Sequence, residues 1–228
     1  MNEDANHAAL QGQGLYQHLK LPLPGTSSKT PTFLMIYGGS TATGILGIQF
    51  SKLSQCRTIV TCSPRFFDLV KSLGADAAFD YKSDTAAADI KEFTEGKLCH
   101  VWDCIGTAES AKMCAMAMSD GGGQYVALDG NNASIIHDVN PKISAVQTLA
   151  YTIFGDRFEK FGMTEPVPED YEFAKMFWEL TRELLADGKL KTARPEVGRG
   201  SQGLEGVLVG LQELKQHKVS GTKLVYTL

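Results

Sequence analysis

Residues 33 to 47, FLMIYGGSTATGILG, constrain the fold more than any other stretch. Phe33 to Tyr37 form an apolar, β-prone run, Gly38 and Gly39 break it, and Ala42 to Gly47 begin a helix. A strand, a tight glycine turn and a helix N-terminus together make an anion site. The turn offers backbone N–H groups, and the helix dipole presents its positive end. The expectation is the pyrophosphate turn of a dinucleotide-binding fold. By itself the pattern also suits plain loop chemistry, because Gly38, Gly44 and Gly47 do not spell a clean G-x-G-x-x-G.

The surrounding pattern decides between these readings. Residues 7 to 19 carry a helical apolar set, and the Pro, Ser and Thr of 21 to 31 read as a connector. Strands are expected at 32 to 37, Arg57 to Thr61, Ala77 to Asp80, Leu98 to Asp103 and Gln124 to Leu128. Helices are expected between them, to Leu53, from Ser63-Pro64 to Gly74, over 84 to 94 and over Thr107 to Met118. This alternation implies an α/β, Rossmann-type, doubly wound parallel sheet with helices on both faces. Right-handed crossovers put the carboxyl ends of its strands on one edge, where ligands bind. The glycine turn, Ser63, Tyr81, the 104 to 106 turn and Leu128 all fall there.

Beyond 128 the pattern changes. Residues 129 to 144 read as irregular, Thr148 to Phe154 as a strand closed by Gly155, and 156 to 168 as a loop. An amphipathic helix spans Glu169 to Ala186, with Tyr171, Ala174, Trp178, Thr181 and Leu185 as its inner stripe and Phe177 and Leu184 beside it. A second spans 202 to 216, with Leu204, Val207, Leu208, Leu211 and Leu214 turned inward. Lys223 to Leu228 reads as a terminal strand.

At 228 residues the chain suits one domain plus part of another. Its net charge of −4 argues against a nucleic-acid surface. No apolar run approaches the ~20 residues that span a bilayer. The acidic N-terminus lacks the apolar core of a secretory signal. Five cysteines without a C-x-x-C pair suit a reducing, cytoplasmic compartment rather than a disulfide framework or thiolate zinc site. Cys99 and His100 sit on opposite faces of a strand and read as structural.

The end of the second strand selects the cofactor. NAD sites place an acid there to bind both ribose hydroxyls. Here the residues are Thr61, Cys62, Ser63, Pro64 and Arg65, with no Asp or Glu. Ser63 can donate to a 2′-phosphate, Arg65 can neutralise it, and Tyr81 at the end of the third strand is within reach. NADPH is therefore expected over NADH.

In order along the chain, YGGSTATGILG, TCSPRFFDLVKSLGADAAFDYK, VWDCIG, GGQYVAL, YTIFGD and VSGTKLVYTL resemble the medium-chain dehydrogenase/reductase superfamily. More closely, they resemble the zinc-independent, trans-acting enoyl reductases of fungal polyketide biosynthesis. The resemblance covers roughly residues 8 to 228. It implies an NADPH-dependent reduction of an enoyl thioester carried by a polyketide synthase, with no metal. It also implies roles for individual residues. Ser40, Thr41, Ala42, Thr43, Gly44, Ile45, Leu46 and Gly47 would cradle the pyrophosphate. Ser63, Pro64, Arg65, Phe66 and Tyr81 would surround the adenosine and its 2′-phosphate. Leu128 and Asp129 would lie by the nicotinamide, with Val219 and Ser220 closing over the cofactor. Thr152, Ile153, Phe154, Gly155 and Asp156 would border the acyl pocket. No catalytic acid is assigned, since Tyr125 and Tyr151, the two nearby hydroxyls, read as structural. The resemblance implies a GroES-like catalytic domain ahead of the nucleotide fold, and this sequence is expected to start about where that domain hands over. The implied organisation is an N-terminal helix and connector over 1–30, an NADP-binding Rossmann domain over 31–187, and a segment over 188–228 that would rejoin the absent domain, leaving Leu204, Leu208 and Leu211 partly unpaired.

Overall fold

The computed structural model describes residues 10–26, 31–130, 132–160, 162–216 and 218–228. The part of the first expected helix that falls on residues 7 to 9 lies outside them. Along the chain run β1 (Phe33–Tyr37), α1 (Ala42–Leu53), β2 (Arg57–Cys62), α2 (Phe67–Leu73), β3 (Ala77–Asp80) and α3 (Ala86–Phe93). Then come β4 (His100–Asp103), α4 (Ala108–Ala117), β5 (Gly123–Ala127), α5 (Ala133–Val139) and β6 (Ile143–Gln147). Among the described residues these strands form a six-stranded parallel sheet in the order β3-β2-β1-β4-β5-β6. The order reverses between β1 and β4, which makes that junction the switch point of a doubly wound sheet.

Buried β-prone residues explain the central strands. Leu34, Met35 and Ile36 of β1 have no exposed surface, and Ile59 and Val60 of β2 and Val101 and Trp102 of β4 match them. Strands covered on both faces need such continuous apolar runs. One layer of core gathers Leu34, Ile36, Phe50, Val60, Trp102 and Phe177, and the other Met35, Ile59, Ile90, Val101 and Tyr125. The N-terminal segment enters the first layer as a π-helix, Gly12–His18. Gly14 lets its backbone lie on Trp102, since a Cβ there would sit 2.3 Å from the indole ring.

The structure corrects the sequence beyond residue 128. The stretch expected to be irregular holds α5 and β6. Seven helical residues are too few to show a period, and β6 is a half-buried strand at the edge of the sheet, paired among the described residues with β5 alone. With that edge filled, the strand expected at Thr148 to Phe154 is instead a 3₁₀ turn, Ala150–Phe154, closed by Gly155 in the left-handed region (φ 73°). The expected loop that follows contains a short antiparallel pair, β7 (Phe158–Glu159) with β8 (Met163–Thr164).

Helix α6 (Pro168–Ala186) lies where expected, but its buried face is Phe177, Thr181 and Leu184. Tyr171 and Trp178, placed on the inner stripe from sequence, point outward. After it, β9 (Pro195–Val197) and β10 (Lys223–Val225) pair in parallel across α7 (Gly203–Lys215). The leucines of α7 are not inward: Leu204 is 72% exposed and Leu208 68%, with Leu211 and Leu214 also exposed. The cause is on the opposite face, where Gly206 and Gly210 lie on Tyr226; a Cβ on Gly210 would sit 2.4 Å from its hydroxyl. Helix α7 therefore packs by its smallest residues. Among the described residues its leucine stripe stays largely exposed.

Candidate functional site

The glycine turn is built by bonds from both sides. Gly38, at φ 82°, and Gly39 each donate an N–H to the Thr61 carbonyl, at 3.1 and 3.0 Å. A Cβ on Gly39 would stand 1.9 Å from Val60 Cγ1, so only glycine lets the turn press onto β2. Thr41 is the N-cap of α1, and its Oγ1 accepts the Gly44 N–H at 2.9 Å while donating to the Gly38 carbonyl at 2.8 Å. That bond satisfies one of the first-turn amides. The 12-residue helix then presents its N-terminus toward the edge of the sheet. Ala42 and Thr43 lie in that first turn. Ile45, Leu46 and Gly47 lie deeper: all three residues are buried, and the Ile45 amide donates to the Thr41 carbonyl. So the expected cradle divides into an outer part, Ser40 to Gly44, and an inner part that holds the helix against the core.

The C-terminal segment reaches this turn. Ser220 Oγ lies 3.2 Å from Ser40 Oγ, and the Gly221 N–H donates to the Ser40 carbonyl at 3.0 Å. Gly221 in turn abuts the Phe66 ring. Residues 180 positions apart thus meet: Ser220 reaches the phosphate turn, and Val219 beside it in sequence is half-buried. Gln11, which sequence reasoning did not single out, donates to the Thr43 carbonyl at 2.6 Å and so ties the N-terminal segment to the first turn of α1.

The β2 and β3 ends form the next part. Cys62 pairs with Asp80 in register, so Ser63 and Tyr81 leave neighbouring strands side by side, about 4.8 Å apart in backbone. Ser63 occupies an N-cap position with extended backbone, yet its side chain makes no capping hydrogen bond. Pro64 and Arg65 are exposed, and the Arg65 guanidinium lies 4.8 Å over the half-buried Phe66 ring. Tyr81 is 40% exposed and meets the Tyr37 ring edge-on. Asp80 is the nearest acid on β3, and its Oδ1 is occupied by the Lys82 N–H at 3.0 Å.

Across the switch point lies the 104–106 turn, backed by Leu128 and Asp129. Leu128 is half-buried and donates its N–H to the Asp103 carbonyl, and Asp129 is exposed. Thr152 is turned inward: it is buried, donates to Asp170 Oδ2 and accepts from Gln13. Ile153, Phe154, Gly155 and Asp156 lie on the outer side of the same turn, with Phe154 and Asp156 exposed. Tyr125 donates its hydroxyl to Asp103 at 2.8 Å, and burial first, then that carboxylate, push its pKa far above the ordinary tyrosine value. Its hydroxyl proton is engaged by that carboxylate. Tyr151 is exposed, with Lys160 Nζ 3.4 Å from its hydroxyl.

The family model of zinc-binding dehydrogenases matches residues 42–176, from the capped helix into α6. The chain belongs to this family. A dual trans-enoyl reductase/FAD-dependent monooxygenase of Aspergillus terreus is 48% identical over 208 residues, which cover 90% of this chain and 29% of that protein. A trans-enoyl reductase of Aspergillus sclerotiorum is 40% identical over 94% of this chain and 63% of its own length. The chain thus spans less than two thirds of these relatives. Among solved structures, the CurK enoyl reductase superposes with a TM-score of 0.70 at 14% identity, over 96% of this chain and 60% of that one. The JamJ enoyl reductase gives 0.72 at 15%, over 96% and 59%. CurA of Vibrio vulnificus, in complex with NADPH, gives 0.66 at 18%, over 96% and 61%. These likenesses establish the medium-chain dehydrogenase/reductase fold. Among the described residues no three His, Cys, Asp or Glu side chains converge where a metal could sit. The zinc of the family's description therefore has no ligand set there, and no step is assigned to it. No helix among them is long and apolar enough to cross a membrane.

Proposed function

We propose that this chain is an NADPH-dependent trans-enoyl reductase that reduces an enoyl thioester delivered by a polyketide synthase. One observation carries the reading. The residues that build the phosphate turn and the acid-free β2 end lie within the 90% of the chain that is 48% identical to a named trans-enoyl reductase. The turn geometry fits a dinucleotide. The N-terminus of α1, with Ser40 to Gly44, would hold the pyrophosphate. Ser63, Arg65, Phe66 and Tyr81 would hold the adenosine and its 2′-phosphate, Leu128 and Asp129 would flank the nicotinamide, and Val219 and Ser220 would close over the turn. Ile153, Phe154, Gly155 and Asp156 would border the acyl chain, with Thr152 holding their turn in place. Bound there, NADPH supplies a hydride; the chain's own part is to orient the two reactants. A cytoplasmic setting suits its five unpaired cysteines.

The test mixes the purified chain with NADPH and an enoyl thioester and follows the cofactor's absorbance. Consumption that requires both components supports the reading. Saturable NADPH binding without consumption assigns the chain a binding role instead. Consumption with quinones and not with thioesters would identify a different reductase.

Cofactor choice is tested separately. The Ser63→Ala, Arg65→Ala double variant removes a hydroxyl donor and a cation from the 2′-phosphate position. Charge-assisted hydrogen bonds contribute about 1.5–3 kcal/mol each, so NADPH affinity should fall at least ~10-fold. NADH affinity should hardly change, as titration of intrinsic cofactor fluorescence would show. Equal losses for both cofactors would mean that the phosphate lies elsewhere.

A further inference from the structure

Asp103 closes β4 with no exposed surface. Its Oδ1 accepts the N–H groups of Ile105 at 2.9 Å and Gly106 at 3.0 Å. Its Oδ2 accepts the hydroxyls of Ser110 at 2.6 Å and Tyr125 at 2.8 Å. A buried carboxylate is tolerated when its lone pairs are taken in this way. The four bonds have a direction. Two anchors come from rigid elements, Ser110 on α4 and Tyr125 on β5, and the other two bonds grip the amides of one turn.

That turn needs to be held. Gly106 lies at φ 74°, and a Cβ there would stand 2.1 Å from the Asp129 carbonyl oxygen. The Gly106 carbonyl accepts Asn132 Nδ2 at 2.8 Å. So the 104–106 turn and the 129–132 loop are fastened back to back, with Asp103 beneath. On its other side, Ile105 of the same turn lies against Gly38, where a Cβ would be 2.9 Å from Ile105 Cγ1. The turn is therefore the first loop past the switch point and the direct neighbour of the phosphate turn. In a doubly wound sheet the β1–β3 half takes the adenosine nucleotide, and the β4–β6 half takes the other nucleotide.

We propose that Asp103 is a positioning residue for the nicotinamide half of a bound dinucleotide, acting through the 104–106 turn without touching the ligand. This rests on the dinucleotide reading of the site. It separates two ligands. NADPH spans both halves of the sheet, whereas 2′,5′-ADP occupies only the β1–β3 half.

The experiment measures dissociation constants of both for the whole chain and for its Asp103→Asn variant. The amide of asparagine can still accept from the turn, but it offers an NH₂ where Ser110 and Tyr125 need an acceptor. The turn loses its anchor. NADPH should bind about tenfold more weakly, or worse, because sub-ångström positioning is lost. Binding of 2′,5′-ADP should stay within about twofold of the wild type, which a purely structural defect would not allow. Should Asp103→Asn fail to fold, Tyr125→Phe removes one of the four bonds without stranding a charge, and the same selective loss, about threefold, is expected of it. Equal weakening of both ligands in a folded variant, or unchanged NADPH binding, overturns the assignment of Asp103 alone. A wild-type chain that binds neither ligand overturns the dinucleotide reading, and the assignment with it.

Discussion

Gly44→Ala is expected to destroy dinucleotide binding while leaving a folded but weakened protein. Two effects oppose each other at this position. Gly44 lies in the first turn of α1, where alanine is the better helix former by about 1 kcal/mol. But a Cβ there would stand 2.4 Å from the Gly38 carbonyl oxygen and 2.6 Å from Gly39 Cα. Both are backbone atoms of the phosphate turn, and that turn is itself bonded to Thr61. The helix cannot accept a methyl group without pushing the turn away. Overpacking of this kind costs about 1–3 kcal/mol, which outweighs the gain in propensity. The displaced turn also breaks the Thr41 cap, worth about 1 kcal/mol more. Gly47→Ala is the control, one turn further along the same helix. Its Cβ would meet Gln11 Oε1 at 3.0 Å and Ile36 Cδ1 at 3.4 Å, both side-chain atoms that can give way. Urea unfolding and NADPH titration of the two variants should therefore diverge, with Gly44→Ala losing binding beyond detection and Gly47→Ala losing about threefold or less. Near-wild-type binding by Gly44→Ala would show that the turn does not hold phosphate.

Local chemistry made this half of the site readable. Strand, glycines, cap and helix are contiguous in sequence, and each follows from propensities that act within a few residues. The acid-free end of β2 was legible for the same reason. What escaped was set by distance or by the presence of partners. The anchors of Asp103 lie 7 and 22 residues away, so WDCIG shows a carboxylate before a glycine turn but not the bonds that make it a brace. Ser220 reaches Ser40 across 180 residues, which only the resemblance anticipated. Strand β6 is hidden because an edge strand needs one partner and one apolar face, and an exposed Val146 and a half-buried Gln147 blur its alternation. The 3₁₀ turn after it was misread because β-branched and aromatic residues favour strands only where a sheet has a free edge to receive them. In α7 the leucine stripe is periodic, but periodicity reveals a stripe and not which side finds a neighbour. Two glycines against Tyr226 decided that instead.

The same distinction between stripe and partner governs a damaging core substitution. Phe177→Ala should destabilise the chain by about 3–5 kcal/mol, whereas Trp178→Ala should cost about 1 kcal/mol or less. By residue size alone the order would be reversed. Trp178, however, is 37% exposed, while Phe177 is 1% exposed. The Phe177 ring lies 5.2 Å from Tyr16, 5.1 Å from Phe50 and 5.8 Å from Phe173, the last stacked at 12°. It is where α6, α1 and the N-terminal π-helix meet, and Gly12 is shaped to it: a Cβ there would lie 2.7 Å from its ring. Deleting the ring leaves a cavity that three elements must collapse into, and a loss of this size is a large share of the ~5–15 kcal/mol that holds a domain together. The damage should also reach the ligand. The segment that Phe177 clamps carries Gln11, whose side chain donates to the Thr43 carbonyl in the first turn of α1. Loosening it frees that helix end to move. At temperatures where Phe177→Ala is still folded, NADPH should therefore bind more weakly than to Trp178→Ala, although residue 177 belongs to a helix that lies outside the nucleotide edge. Urea midpoints and NADPH titrations on the two variants measure both effects. If Trp178→Ala proved the costlier change, the inner face of α6 would be the one read from periodicity, and the route from Phe177 through Gln11 to the phosphate turn would not exist.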